Sequence, residues 1–249
     1  MKFIKKYIVV VSISINIIFL VLGCYFILKK GGIDYLISKI IVSNIETKKE
    51  NIQLHNPYYL NRISLFSILP QSNNSIVFLG DSITDGCEWS ELFINSNIKN
   101  RGIGSDTTYS LLNRIQEIVN LKPKKVFLMI GINDLGLGRS VAETIADYDK
   151  ILAVLTESLP NSEIYLQSVL PINNRKFTCN PNLKDNKEII SLNNQIRKLA
   201  KRYALTYIDL YSKMNLGEQL NPKITEDGVH LNGAGYEIWK NVIQKYVKN

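Results

Sequence analysis

The sequence predicts an α/β fold: a five-stranded parallel sheet covered by helices on both faces, preceded by one apolar amino-terminal helix. Short apolar runs of four or five residues alternate with longer stretches of helical period, the pattern of a parallel sheet packed on each side. Turn-forming and chemically active residues gather directly after the apolar runs, where such sheets build their sites. An uncharged run of 22 residues, Tyr7 to Leu28, stands apart from this alternation.

That first run is rich in Ile and Val and follows Lys2, Lys5 and Lys6. Roughly 20 apolar residues in a helix cross the hydrocarbon layer, so residues 1–30 read as a transmembrane anchor or a signal sequence, outside the folded domain. Val21-Leu22-Gly23-Cys24 resembles a bacterial lipobox, which would make Cys24 a lipidated first residue. Tyr25-Phe26-Ile27-Leu28 continues the apolar run past that cysteine, which an uncleaved single-pass anchor explains better. Lysines flank both sides, and the excess before the run favours a cytoplasmic amino terminus, with the rest of the chain beyond the cytoplasmic membrane.

Residues 31–74 read as a polar stalk containing Lys48-Lys49-Glu50, then a short packing helix carrying Tyr58-Tyr59-Leu60 and Leu65-Phe66-Ser67-Ile68-Leu69. Pro70 and Gln71-Ser72-Asn73-Asn74 mark the boundary of a domain over 75–249. Within it the strand candidates are Ile76–Leu79, Ile98–Arg101, Val126–Ile130, Ile164–Gln167 and Tyr207–Ile208. Ser140 and Glu143 form a capping box ahead of Ile145, Tyr148, Ile151, Leu152 and Leu155, which recur at helical spacing. Thr107–Val119, Lys187–Tyr203 and Tyr236–Val247 read as three more helices. The chain has no internal repeat and no low-complexity tract.

The net charge of +8 is set by one end. Five of the 30 basic residues and none of the 22 acidic ones lie in residues 1–30, leaving 25 and 22 and a net +3 for the remainder. No basic stripe with interleaved aromatics is present, so nucleic acid is not an expected partner. Cys87 and Cys179 remain beyond the anchor and are either a pair or two free thiols. No His/Cys cluster has metal spacing, and no cofactor is expected.

Four blocks carry the chemistry: Gly80-Asp81-Ser82-Ile83-Thr84 after the first strand, Asn100–Thr108 after the second, Gly131-Ile132-Asn133-Asp134 after the third, and Asp227-Gly228-Val229-His230 in the last loop. A serine hydroxyl is a weak nucleophile until an imidazole takes its proton, and the imidazole needs a carboxylate to fix its tautomer. With only His55 and His230 in the chain, and His55 in the stalk, His230 is the candidate base, Asp227 its orienter and Ser82 the nucleophile. Taken singly, each has a bland reading: Asp81 or Ser82 as a helix cap, Asp227–His230 as a surface turn beside Asn232-Gly233, Asn133-Asp134 as ordinary turn chemistry. Asp106, Asp134 and Asp209 read as loop-fixing or capping residues.

In this order and spacing the four blocks resemble the SGNH (GDSL-type) hydrolases, from about Ser75 to the carboxyl terminus, and within them the branch similar to platelet-activating-factor acetylhydrolase and bacterial carbohydrate O-acetylesterases. The resemblance implies a flavodoxin-like three-layer α/β/α sandwich. It implies an oxyanion hole built from the Ser82 N–H, a backbone N–H of the second block and the Asn133 side chain. Relatives place glycine before the Asp-Thr pair, whereas this chain has Ser105 there and Gly104 one position earlier; Ser105 is the donor by position, and a positive φ at that residue would strain serine more than glycine. The implied activity is a serine esterase removing short acyl groups, most readily acetyl, from hydroxyls of carbohydrates or similar polar substrates. Lysophospholipid or thioester hydrolysis, acyl transfer to glycans, and a non-catalytic glycan-binding module are the competing readings; an intact Ser82, Asp227 and His230 argue against the last.

Overall fold

The computed structural model describes residues 2–30, 32, 54–70, 74–183 and 185–248. The predicted stalk over 33–53 and the boundary residues Gln71-Ser72-Asn73 lie outside the described residues. The chain divides into two units, Met1–Lys49 and Glu50–Asn249.

In the first unit α1 runs from Lys2 to Lys29, as the apolar run predicts. The apolar side chains of Phe19, Leu20 and Leu28 on it are exposed. Among the described residues no helix is long and apolar enough to cross a membrane, so the predicted transmembrane helix is without structural support.

The second unit opens with α2 (Pro57–Ile68), capped by Asn56 with Pro57 in its first turn. The five predicted strands all form: β1 (Ile76–Gly80), β2 (Ile98–Gly102), β3 (Lys125–Met129), β4 (Glu163–Gln167) and β5 (Thr206–Ile208). They pair in parallel in the order β2-β1-β3-β4-β5. Between them run α3 (Ser82–Asp85), α4 (Trp89–Leu92), α5 (Thr108–Leu121), α6 (Ile132–Gly136), α7 (Val141–Ser158) and α8 (Lys187–Arg202); after β5 come α9 (Tyr211–Met214), β6 (Asn215–Leu216), β7 (Gln219–Leu220) and α10 (Gly233–Lys248). The α7 capping box is present, with the Glu143 N–H donating to Ser140 Oγ and the Ser140 N–H to Glu143 Oε2. Helix α10 starts three residues earlier than its periodicity predicts: Asn232 accepts from the Ala234 and Gly235 N–H groups, and a first turn of Gly-Ala-Gly carries no apolar signal. The antiparallel pair β6–β7 was not predicted; two residues per strand leave no period to read.

The apolar runs are buried because a parallel sheet is covered on both faces; Val77, Phe78, Leu79, Val126, Phe127 and Leu128 are fully buried. The register stacks an aromatic ladder across three strands, Phe78 on Phe127 at 5.0 Å and Phe127 on Tyr165 at 4.6 Å between ring centroids. Trp89 of α4 stacks on Phe78 at 4.2 Å and meets the edge of Trp239 of α10 at 4.8 Å. The same ladder therefore joins the helices that follow the first strand to the last helix of the chain. Helices α5, α7 and α8 pack side by side.

The outcome to test is the weight of that cluster. Trp89→Ala removes a fully buried indole and the bond from its Nε1 to the Thr84 carbonyl at 2.8 Å, and is expected to lower the unfolding free energy of the full chain by about 3–5 kcal/mol. Denaturant titration measures it; a loss below about 1 kcal/mol would contradict the packing.

Candidate active site

β1 ends in Gly80, and a Cβ there would lie 2.2 Å from the Met129 carbonyl of β3. Only backbone fits, so the chain leaves the sheet closely pressed to its neighbour. Asp81 follows as a buried cap, accepting the Ile83 N–H at 3.0 Å. Ser82 is thereby the first residue of α3, half-buried, with its own N–H outside the helical bonding.

The last loop folds back through its own carboxylate. Asp227 Oδ1 accepts the N–H of Val229 at 2.9 Å and of His230 at 2.8 Å, while Oδ2 lies 2.6 Å from His230 Nδ1. This turn is why three residues of separation bring carboxylate and ring together. A carboxylate at Nδ1 accepts a hydrogen bond from that nitrogen and so keeps the ring proton on Nδ1, leaving Nε2 as the acceptor; Nε2 lies 2.8 Å from Ser82 Oγ. Burial raises the Asp227 carboxyl, but the hydrogen bonds from the His230 ring and from the Val229 and His230 N–H groups outweigh it and hold it below the ordinary carboxylate range. Both Asp227 and His230 side chains are about half exposed, 53% and 50%, so the pair opens to solvent. Tyr236 of α10 donates to the Ile83 carbonyl at 2.9 Å, tying the helix after His230 to the helix after Ser82.

The second block forms a turn in which the Asp106 N–H donates to the Ile103 carbonyl at 3.1 Å. Ser105 sits in this turn with φ +65, the left-handed region in which a non-glycine residue is strained by about 1–2 kcal/mol. The Gly104 N–H is engaged by Asp85 Oδ2 at 3.2 Å. The Ser105 N–H, the donor expected by position, belongs to the same turn. Asn133, just inside α6, donates one amide hydrogen to the Asp106 carbonyl at 2.9 Å, which leaves its second amide hydrogen for a ligand. Gly131 before it adopts φ +128, open to glycine alone.

The remaining acidic residues are structural, as expected. Asp134 accepts from the Thr108 N–H at 3.0 Å and Oγ1 at 2.6 Å and pairs with Arg139 at 2.7 Å; Arg139 continues to Asp147 at 2.6 Å. Asp106 accepts from Ser110 Oγ and pairs with Arg114 at 2.7 Å. Asp209 caps the following turn through the Ser212 N–H at 3.0 Å. His55 lies exposed at the turn before α2. Cys87 and Cys179 are both free thiols. Sequence reasoning missed Arg114, Arg139 and Tyr236, since nothing local marks a buried arginine or a tyrosine that bonds a distant carbonyl.

Four regions of sequence thus meet beyond the carboxyl ends of β1, β2 and β3, the point where strand order reverses. The pattern of the GDSL-like Lipase/Acylhydrolase family matches residues 78–238, from β1 into α10. The chain belongs to this family. It is 30% identical over 182 residues to N-acylneuraminate cytidylyltransferase of Escherichia coli O18:K1:H7 (strain RS218 / NMEC), covering 71% of this chain and 41% of that protein. It is 28% identical over 171 residues to platelet-activating factor acetylhydrolase IB subunit alpha2 of Rattus norvegicus, covering 65% and 70%. The chain therefore spans less than half the length of the first of these relatives. Its fold is similar to a GDSL-like lipase from Bacteroides thetaiotaomicron VPI-5482, with TM-score 0.67, 28% identity and coverage of 76% and 97%. The family is one of lipases and acylhydrolases.

The family's site stands on a buried acidic frame with a pH signature. Burial, with the charges of Asp106 and Asp134, raises Asp81 to about 7 against the Ile83 N–H bond, and burial raises Asp134 to about 6 despite its hydrogen bonds from Thr108 and the charge and hydrogen bond of Arg139. A carboxyl raised on folding adds stability that is complete below its unfolded value near 4 and is lost as pH rises through the folded value. Asp81→Asn keeps the capping oxygen and cannot ionise. The stability of the full chain relative to this variant is expected to fall by at least about 1.4 kcal/mol between pH 4 and 7; a constant difference across that range would contradict the assignment.

Proposed function

We propose that the protein is a serine esterase that removes short acyl groups, acetyl above all, from hydroxyls of carbohydrates or similar polar substrates. The reading is carried by one observation, the continuous chain of contacts from Ser82 Oγ to His230 Nε2 at 2.8 Å and from His230 Nδ1 to Asp227 Oδ2 at 2.6 Å. Ser82 Oγ attacks the ester carbonyl while its proton passes to Nε2; Asp227 holds the imidazolium that forms. The Ser82 N–H, the Ser105 N–H and the free Asn133 amide hydrogen stabilise the oxyanion. His230 returns the proton to the leaving alcohol, and water, activated by the same ring, releases the acyl group from Ser82.

Two features support a short acyl group on a polar substrate. The half-exposed His230 and Asp227 leave the reacting hydroxyl open to solvent instead of at the base of a deep apolar channel. The similarity to an acetylhydrolase subunit fits the same acyl length. Tethering at a membrane, with the second unit outside the cytoplasm, is part of the proposal and rests on the uncharged run Tyr7–Leu28 and the lysines before it.

In p-nitrophenyl acetate hydrolysis by the full chain, Ser82→Ala is expected to abolish turnover with the fold retained. Asn133→Ala is expected to lower kcat by ~10²–10³, the usual effect of one oxyanion donor. Turnover unchanged in the first variant would remove the nucleophile, and a loss under about three-fold in the second would remove the donor. An ester series from two to eight carbons tests acyl length, with preference for eight contradicting the reading.

A further inference from the structure

Helix α2 lies ahead of the region that matches the family, yet it touches the machinery from two sides. Its buried face, Tyr59 and Phe66, packs on Ile103, the fully buried first residue of the Ser105 turn. Tyr59 Oη donates to the Ser110 carbonyl at 2.8 Å, in the first turn of α5 that follows the same loop. At the exposed end, Tyr58 Oη donates to Asp85 Oδ2 at 2.5 Å, and that oxygen also accepts the Gly104 N–H at 3.2 Å. Arg62, one helical turn after Tyr58, pairs with the other oxygen of Asp85 at 3.3 Å. The Tyr58 ring lies against Gly104 itself, 3.4 Å from where a Cβ would stand. Asp85 belongs to the helix that Ser82 begins, and its carbonyl accepts from Asn100 Nδ2 at 3.0 Å. One carboxylate thus connects the nucleophile helix, the strained turn and α2.

We propose that Tyr58, acting through Asp85, is a positioning residue that holds the Gly104–Ser105 turn in the conformation that aims the Ser105 N–H at the oxyanion. The proposal rests on the oxyanion role given to Ser105 above. The need for such a clamp follows from the residue present. A glycine would enter the left-handed region without steric penalty, whereas Ser105 at φ +65 persists only when its surroundings over-determine it. Asn133 holds the far end of the turn through the Asp106 carbonyl at 2.9 Å; Asp85 holds the near end, and Tyr58 and Arg62 fix the Asp85 carboxylate. Removing the Tyr58 hydroxyl frees one partner of Asp85 and lets the turn relax toward unstrained dihedrals, which carries the N–H away from the reacting carbonyl while leaving the Ser82–His230–Asp227 contacts in place.

A glycine substitution separates this role from plain packing. Steady-state kinetics on p-nitrophenyl acetate compare the full chain with Tyr58→Phe, Ser105→Gly and the double variant. Tyr58→Phe is expected to lower kcat about ten-fold with KM within about two-fold, the pattern of misplacement felt in the transition state. In the Ser105→Gly background the same change is expected to lower kcat by less than about two-fold, because glycine holds the turn unaided. An equal loss in both backgrounds, or full kcat in Tyr58→Phe, overturns the proposal. Asp85→Ala, taken through the same pair of backgrounds, is expected to show the same rescue, and if Tyr58→Phe loses its thermal unfolding transition the Asp85→Ala pair decides alone. Ser82→Ala runs alongside: if it turns over like the parent, the esterase reading has failed; if it is dead and the two backgrounds behave alike, only the role of α2 has failed.

Discussion

The site depends on one buried ion pair. Arg114 Nε donates to Asp106 Oδ2 at 2.8 Å, and its Nη2 reaches the carbonyls of Arg101 at 2.9 Å and Gly80 at 3.3 Å. A single guanidinium therefore joins the end of β1, the end of β2 and the turn between β2 and α5, all within the protein interior. Burial raises the Asp106 carboxyl despite the opposing charge and hydrogen bonds of Arg114 and Ser110; desolvation outweighs the attraction. Such a pair adds little net stability, but removing one partner strands a buried charge and is strongly destabilising. Its value here is geometric. The carbonyl of Asp106 receives the Asn133 amide from the end of β3, so two of the three residues proposed to stabilise the oxyanion, Ser105 and Asn133, are set by one anchored turn.

Around this anchor the fold supplies close approach. Gly80 and Gly102 bring backbone against backbone at distances no side chain tolerates, 2.2 Å from a built Cβ to the Met129 carbonyl in one case and 2.2 Å to the Asp85 nitrogen in the other. The nucleophile helix is pressed onto the ends of β1 and β2 as a result. His230 comes from the far end of the chain, and its loop is oriented by its own Asp227 and by the Tyr236 bond to the Ile83 carbonyl. The reacting groups are thus fixed by backbone contacts and buried polar bonds, while the mouth of the site stays open.

Much of this was legible in the sequence, because the signals are local. Five apolar runs became five strands within two residues of their predicted ends, and the Ser140–Glu143 box started a helix where it should. Ser82, Asp227 and His230 could be paired because the chain has two histidines and one lies outside the motif blocks. What was not legible is non-local or backbone-born. No period reveals that Arg114 will meet two strand ends, or that Asp134, Arg139 and Asp147 form one chain of ion pairs. The sequence raised the question of a positive φ at Ser105, and only the folded turn answers it. Tyr58 and Asp85 lie 27 residues apart and carry no motif. At the amino terminus the apolar run forms a helix as read, and among the described residues no helix is both long and apolar enough to cross a membrane.

The most direct test of the central claim is covalent. Treatment of the full chain with a fluorophosphonate, followed by mass spectrometry of its peptides, reports which hydroxyl is activated by a neighbouring base. The account predicts a single adduct on Ser82, absent from the His230→Ala variant. Modification of a different residue, or labelling of Ser82 that persists undiminished without the imidazole, would contradict it.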